Sequence, residues 1–179
     1  MSKKLLRKKL IILRKKKFKN IENIFFKLKY LLKVNKLSVK TFGGYYPINY
    51  EIDCLKVLEK LEIDNYKISL PVISNNSQMD FFKWSFTKAL SINKRGIPEP
   101  FSKKKVVYPD IILVPLVGFD SDNFRLGYGG GFYDRYIEKM KNKIIKTIGL
   151  SFSFQKVTKL PIDKFDKKLD FIITEKNIF

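Results

Sequence analysis

Four of the chain's nine glycines fall within five positions, Gly127, Gly129, Gly130 and Gly131, inside the stretch Arg125 to Arg135. Ahead of them Ile111-Ile112-Leu113-Val114-Pro115 is a short apolar run of the kind that forms a buried strand. Behind them Tyr136, Ile137 and Met140 recur at helical spacing. Strand, loop and helix in that order place the glycines at the carboxyl end of a strand, where open α/β sheets bind ligands. Glycine lets a ligand approach the backbone closely, and successive backbone N–H groups form an anion-binding concavity. Arg125 and Arg135 add positive charge, and Asp134 can hold a metal ion that bridges phosphate oxygens. The stretch therefore predicts a loop for a polyphosphate and its Mg²⁺. It is not a Walker A loop, which needs Lys and then Ser or Thr after the last glycine. Nor is it the dinucleotide fingerprint, whose third glycine would fall on Phe132. A tight turn before a helix, with Asp134 set against the helix dipole, stays open as the simpler alternative.

The rest of the chain supplies a framework for such a loop. Residues 3–19 and 21–36 read as two amphipathic helices, the first with Leu6, Leu10 and Leu13 on one face. Ser38 to Phe42 predicts a strand, Glu51 to Leu61 a helix, Tyr66 to Val72 a strand and Met79 to Phe82 a short strand. Residues 91–109, holding Gly96, Pro98, Pro100 and Pro109, read as a loop of the kind that often carries function. Further strands are predicted at 111–115, 144–149 and 171–174. Alternating strands and helices argue for an α/β class with a largely parallel sheet. A length of 179 residues suits one domain, residues 1–179, with no linker or repeat.

Composition removes several chemistries. The chain has no histidine, which excludes histidine general bases, Ser-His-Asp triads and zinc-histidine sites. Cys54 is the lone cysteine, so neither an intrachain disulfide nor a cysteine-rich metal site is expected. No apolar run approaches a membrane span, and the N-terminal residues are too basic for a secretory signal. A cytoplasmic enzyme fits, and nothing requires more than a monomer. The net charge of +20 needs a separate account. Ten basic residues lie between Lys3 and Lys19, a patch that could bind nucleic acid through its phosphates. Lysine, however, is abundant along the whole chain together with Asn, Ile, Phe and Tyr, a joint excess that an AT-rich coding sequence produces. No specific nucleic-acid partner is expected.

A family resemblance rests on many short motifs in order. Val114-Pro115, Phe119-Asp120, Arg125-Leu126-Gly127, Gly129, Gly131 and Tyr133-Asp134 resemble the signature of the 5-formyltetrahydrofolate cyclo-ligases, also called methenyltetrahydrofolate synthetases. Lys3 with Arg7, Tyr46-Pro47 with Glu51, Leu70-Pro71-Val72, Met79, Phe81, Trp84 and Gly96 to Pro100 fall in that family's order. So do Ile148-Gly149-Leu150, Gln155, Leu160-Pro161, Asp166 and Ile173-Thr174-Glu175. The resemblance covers essentially the whole chain and implies a three-layer, doubly wound fold with helices on a mostly parallel sheet. It also implies ATP-dependent cyclisation of 5-formyltetrahydrofolate to 5,10-methenyltetrahydrofolate, with release of ADP and phosphate.

Carried over residue by residue, the resemblance puts Lys3, Lys4, Leu5, Leu6 and Arg7 against ATP, with Arg7 also near the folate. Arg125, Leu126, Gly127, Tyr128, Gly129, Gly130, Gly131, Phe132 and Tyr133 would wrap the phosphates, and Tyr128 to Phe132 would border the folate. Arg125, Tyr133 and Asp134 would serve catalysis, and Asp134 and Asp166 would hold Mg²⁺. Glu51 would bind the pterin, with Tyr46, Trp84 and Glu99 beside it. The ordinary alternatives are solvated helix charge for Lys3 and Arg7, core packing for Met79, Phe81 and Trp84, and an exposed loop charge for Glu99. The chain departs from the pattern at Leu116, Gly130, Phe132 and Phe165, where relatives often carry Gly, Lys, Tyr and His. A nucleic-acid-binding protein, or an ATP-dependent enzyme with another acceptor on the same scaffold, are the competing functions.

Overall fold

Strand residues of the run Ile111 to Val114 have no polar face, and the computed structural model, which describes residues 2–74, 78–103 and 105–179, shows why. Ile111 and Leu113 pack into one apolar cluster, Ile112 and Val114 into another. Successive side chains of a strand point to opposite faces, so this strand is covered on both sides, as parallel strands usually are.

The elements are α1 (Lys3–Lys17), α2 (Ile24–Val34), β1 (Thr41–Gly43), α3 (Cys54–Ile63), β2 (Lys67–Ile73), β3 (Met79–Trp84), β4 (Leu90–Ile92), β5 (Pro98–Pro100), β6 (Val106–Val107), β7 (Ile111–Pro115), β8 (Gly118–Phe119), β9 (Arg125–Leu126), α4 (Phe132–Met140), β10 (Lys146–Leu150) and β11 (Phe171–Ile173). The main sheet has the order β11-β10-β7-β1-β2-β3-β6. Its first five strands are parallel, and β3 and β6 are antiparallel additions at one edge. Helices α2 and α3 pack on one face through Leu28, Leu31, Leu58 and Leu61, and α4 packs on the other through Tyr136 and Met140. The mostly parallel, doubly wound sheet between helical layers matches the fold class expected.

Two features of this topology place the site. From β1 the chain steps to β2 on one side, and later runs β7, β10, β11 on the other. The order therefore reverses between β1 and β7, which pair through Phe42 with Ile111 and Gly43 with Ile112. Such switch points open a crevice at the strands' carboxyl ends. Helix α1 lies outside the sheet, with Leu6 and Leu10 packed on Val117, Leu126 and Leu160 next to the β8–β9 hairpin. This seats the N-terminal helix beside the glycine loop. No described helix is long and apolar enough to cross a membrane.

Helix α2 spans Ile24–Val34 rather than 21–36 and β1 Thr41–Gly43 rather than 38–42, and three further differences bear on the site. Helix α3 begins at Cys54, not Glu51, because the Asp53 carboxylate accepts hydrogen bonds from Leu55 N and Lys56 N and caps it. Glu51 is thereby free of the helix. Helix α1 stops at Lys17 rather than 19, since Phe18 turns out to pack edge-on against Tyr50 and Phe152. Within 91–109 the chain forms the β4–β5 hairpin and the short β6. The hairpin turn is closed by Asn93, whose Oδ1 accepts from Arg95 N and Ile97 N, and by Gly96 at φ +74°.

Loss of a side-chain N-cap typically costs about 1 kcal/mol. Asp53→Ala should lower the unfolding free energy by about that amount in urea titration, with the m-value unchanged. No loss of stability would contradict the cap.

Candidate active site

At the switch point lies a cavity of about 1090 Å³, reached by Tyr45 and Tyr46 after β1, Pro115 at the end of β7, the glycine loop and the first turns of α1 and α4. The glycine loop is bent by two left-handed residues, Gly129 at φ +104° and Gly131 at φ +65°. A side chain at either would be strained, and a Cβ on Gly129 would come within 3.5 Å of the Arg7 guanidinium. Arg7 donates from Nε to Gly127 O at 2.7 Å, so its remaining guanidinium N–H groups lie over the loop. Backbone N–H groups and fixed guanidinium donors at one place form a site for a multiply charged anion.

The carboxylates are tied into the same frame. Arg125 is nearly buried; its Nη2 meets Asp134 Oδ1 at 2.8 Å and its Nη1 donates to Lys167 O. Asp134 Oδ1 also accepts from Lys167 N at 3.0 Å. Asp134 does lie in the first turn of α4, yet its bonds go across the cavity wall and not to that helix's own N–H groups. Lys3 Nζ meets Asp166 Oδ2 at 2.6 Å and Asp163 Oδ2 at 2.8 Å. Burial disfavours the Lys3 charge, but these two hydrogen bonds outweigh it and hold its pKa above the ordinary lysine value.

Each of the two candidate metal carboxylates thus has one oxygen engaged. Asp134 Oδ2 and Asp166 Oδ1 accept no hydrogen bond among the described residues, and both residues line the cavity. No group of three or more His, Cys, Asp or Glu suited to a metal occurs among the described residues. The pair fits a Mg²⁺ that keeps several waters and draws further ligands from phosphate, which is this ion's usual mode. It does not make an all-protein cage.

The other end of the cavity carries Glu51. Its Oε2 accepts from Ile48 N at 2.9 Å, while Oε1 is buried with no hydrogen-bond partner. Burial pushes this carboxyl up to about 7, against the opposing pull of the Ile48 bond, the Arg14 charge and the nearby Tyr128 hydroxyl. That hydroxyl influences Glu51 but does not satisfy Oε1. Burial also raises Tyr128, to about 12. A half-satisfied buried carboxylate requires an explanation, and a ligand presenting two adjacent N–H donors supplies one.

Among the predicted residues, Lys3, Arg7, Tyr46, Glu51, Arg125 to Tyr133, Asp134 and Asp166 all line this one cavity. Five others do not. Lys4 and Leu5 face solvent, on the side of α1 turned from the sheet. Leu6 is used by the core, against Val117 and Leu126. Trp84 is packed in the α2–α3 cluster and donates from Nε1 to Lys88 O. Glu99 is buried, but its oxygens are taken by Lys103 Nζ and Asn93 Nδ2. Met79 does reach the cavity, whereas Phe81 is core. The departures are absorbed in different ways. Phe132 is flanked by the guanidinium groups of Arg95 and Arg135 at 4.9 and 5.2 Å from its ring centre. Leu116 fills the core beside Gly149, and Phe165 is an exposed part of the cavity rim.

The raised Glu51 pKa has a stability consequence. Its contribution is full below the unfolded value of 4.5 and is lost as pH rises through the folded value of about 7. Glu51→Gln removes that loss. By the free-energy equivalent of the shift, its stability relative to the parent should rise between pH 5 and pH 8 by up to about 3 kcal/mol. Parallel stability profiles for the two proteins would show that Glu51 titrates normally.

Comparison with known proteins bears on the whole chain. Residues 1–175 match the model of the 5-formyltetrahydrofolate cyclo-ligase family. A 5-formyltetrahydrofolate cyclo-ligase of Haemophilus influenzae is 31% identical over 142 residues, 76% of each protein. The solved structure of Aquifex aeolicus 5,10-methenyltetrahydrofolate synthetase superposes with a TM-score of 0.79 at 30% identity, covering 99% of this chain and 92% of that one. The Mycoplasma pneumoniae 5,10-methenyltetrahydrofolate synthetase gives a TM-score of 0.75 at 29% identity, covering 98% and 99%. With its fold, its glycine loop and its carboxylates in one cavity, the chain belongs to the 5-formyltetrahydrofolate cyclo-ligase family.

Proposed function

We propose that this protein converts 5-formyltetrahydrofolate and ATP to 5,10-methenyltetrahydrofolate, ADP and phosphate, with both substrates held in the cavity between β1 and β7. The observation that carries the proposal is the pairing of two unlike ends in one crevice. A cationic glycine loop with Arg7 and Arg125 lies at one end, and Glu51, with its unpartnered Oε1, lies at the other. A polyphosphate suits the first. The 2-amino-4-oxo edge of a pterin, with its neighbouring N–H donors, suits the second.

The formyl oxygen is a poor leaving group. Its attack on the γ-phosphorus of ATP forms an O–P bond, expels ADP and leaves an iminium phosphate. N10 of the folate then attacks the formyl carbon, its proton is lost, and phosphate departs with the former formyl oxygen. Little of this needs a protein base, so a site without histidine suffices. The protein's work is to bring the two reactants in line and offset charge on the transferring group. Arg7, Arg125, Lys3 and the N–H groups of residues 126–133 would hold the phosphates, and Tyr133 would border the reacting groups. Asp134 and Asp166 would hold Mg²⁺, which when bound neutralises phosphate charge. Glu51 and Tyr46 would orient the pterin. Lys4, Leu5, Leu6, Trp84 and Glu99 do not line this cavity, and the proposal gives them no contact. A single-domain cytoplasmic monomer satisfies this chemistry.

Formation of methenyltetrahydrofolate, followed by its absorbance, tests the reaction. Asp134→Asn should cut kcat by at least about 100-fold while lowering Tm by only a few degrees, about what 1 kcal/mol produces. Activity and Tm falling in parallel would instead mark Asp134 as a helix-start carboxylate. Glu51→Gln should weaken folate binding and leave ATP binding intact. In the parent, folate binding should strengthen as pH rises from 6 to 8, by up to about tenfold per unit below the Glu51 pKa. Binding that is flat with pH, or unchanged in Glu51→Gln, would remove Glu51 from the folate site.

A further inference from the structure

Arg14 is 1% exposed, and few groups cost more to bury than an arginine. It sits on the apolar face of α1, two turns beyond Leu6 and one beyond Leu10. No carboxylate forms a salt bridge with it among the described residues; instead its guanidinium donates to three separate segments. Nε donates to Asn49 O at 2.9 Å, Nη1 to Leu116 O at 3.0 Å, and Nη2 to the Tyr128 hydroxyl. These segments are the turn before Glu51, the chain leaving β7, and the glycine loop.

The turn at Asn49 requires support. Asn49 and Tyr50 are consecutive non-glycine residues with φ of +48° and +62°, a conformation unfavourable for each. Ile48 and Glu51 close the turn on each other, through Ile48 N to Glu51 Oε2 and Glu51 N to Ile48 O. The Asn49 carbonyl is left pointing inward, and Arg14 is its partner. The same guanidinium holds Tyr128, whose hydroxyl lies beside Glu51.

We propose that Arg14 is a positioning residue for the folate: it fixes the strained turn that aims Glu51, anchors Tyr128 beside it, and serves as the buried counter-charge to the ionised carboxylate. The assignment rests on Glu51 as the pterin-binding group. Groups facing Glu51 come from several elements: Arg14 from α1, Tyr45 after β1, Cys54 at the start of α3, and Tyr128 and Tyr133 from the glycine loop and α4. Burial pushes the three tyrosines and the cysteine up, so they stay neutral near pH 7. Of these groups, Arg14 alone brings positive charge. A lysine could supply that charge but not three hydrogen bonds in fixed directions.

The test is binding of 5-formyltetrahydrofolate across pH 5.5 to 8.5, with ATP binding and Tm measured on the same proteins. Arg14→Met should weaken folate binding about tenfold or more and move the midpoint of its pH dependence up by about one unit, with a smaller loss of ATP affinity, because Arg7 and Arg125 still hold the phosphate loop. Arg14→Lys should keep the parent midpoint while binding folate several-fold more weakly, which separates charge from geometry. A folded Arg14→Met with the parent midpoint overturns the proposal, as does equal loss of ATP and folate binding alongside a fall in Tm. If Arg14→Met does not fold, Arg14→Lys decides: parent-like affinity at every pH overturns it. Glu51→Gln run in parallel separates the two assignments. Undiminished folate binding there sinks the role of Glu51 itself, whereas weakened binding there with a normal Arg14→Met sinks only that of Arg14.

Discussion

A loop with four glycines in five positions has to be held in one shape from outside. Its backbone loses more conformational freedom on ordering than any other sequence would, at about 1–2 kcal/mol per residue for an ordinary chain. Three arginines provide the restraint, each at a different point of the loop. Arg7 bonds the Gly127 carbonyl, Arg14 bonds the Tyr128 hydroxyl, and Arg125 joins Asp134, the third residue of the helix that follows. Two of the three come from α1, so docking of that helix through Leu6 and Leu10 is a condition for the loop's geometry. The basic N-terminal segment, which by composition alone resembles a polyanion-binding tail, contributes Lys3 and Arg7 to the cavity wall.

The same arrangement gives the two ends of one cavity opposite characters. The sheet supplies a crevice where its winding reverses, and the two ends of the crevice differ in charge and solvation. Arginine N–H groups and glycine amides at one end favour anions. At the other, burial pushes the Glu51 carboxyl up to about 7 and leaves its Oε1 without a hydrogen-bond partner. Asp134 and Asp166 are anchored to Arg125 and Lys3, so neither is an isolated charge, and each keeps one oxygen free of hydrogen bonds among the described residues.

Much of this was legible in the sequence where a single physical signal dominated. The parallel strands stood out because a strand buried on both faces must be apolar throughout, as in Ile111 to Val114. The glycine loop stands out because four glycines cluster between a strand and a helix, and two of them, Gly129 and Gly131, take the left-handed φ that favours glycine. The β4–β5 hairpin did not, because Pro98 and Pro100 read as breakers, although their missing N–H groups cost little at the edge of a two-stranded ribbon. The run from Glu51 to Leu61 reads as one helix, but the cap is Asp53, two residues past Glu51. The resemblance puts Trp84 and Leu6 at the site, whereas both pack in the core. Arg14 is not legible in the sequence, because a charged residue in a lysine-rich helix looks solvated; its position one turn past Leu10 on the apolar face is the available clue.

The central claim is that the formyl oxygen is the phosphoryl acceptor in this cavity. The most direct measurement uses 5-formyltetrahydrofolate labelled with ¹⁸O in the formyl group, turned over by the protein with ATP and Mg²⁺, with the label located by mass spectrometry. The account predicts one ¹⁸O atom in each inorganic phosphate released, in step with methenyltetrahydrofolate formed. Methenyltetrahydrofolate accompanied by unlabelled phosphate, or ATP cleaved with the folate unchanged, would contradict it.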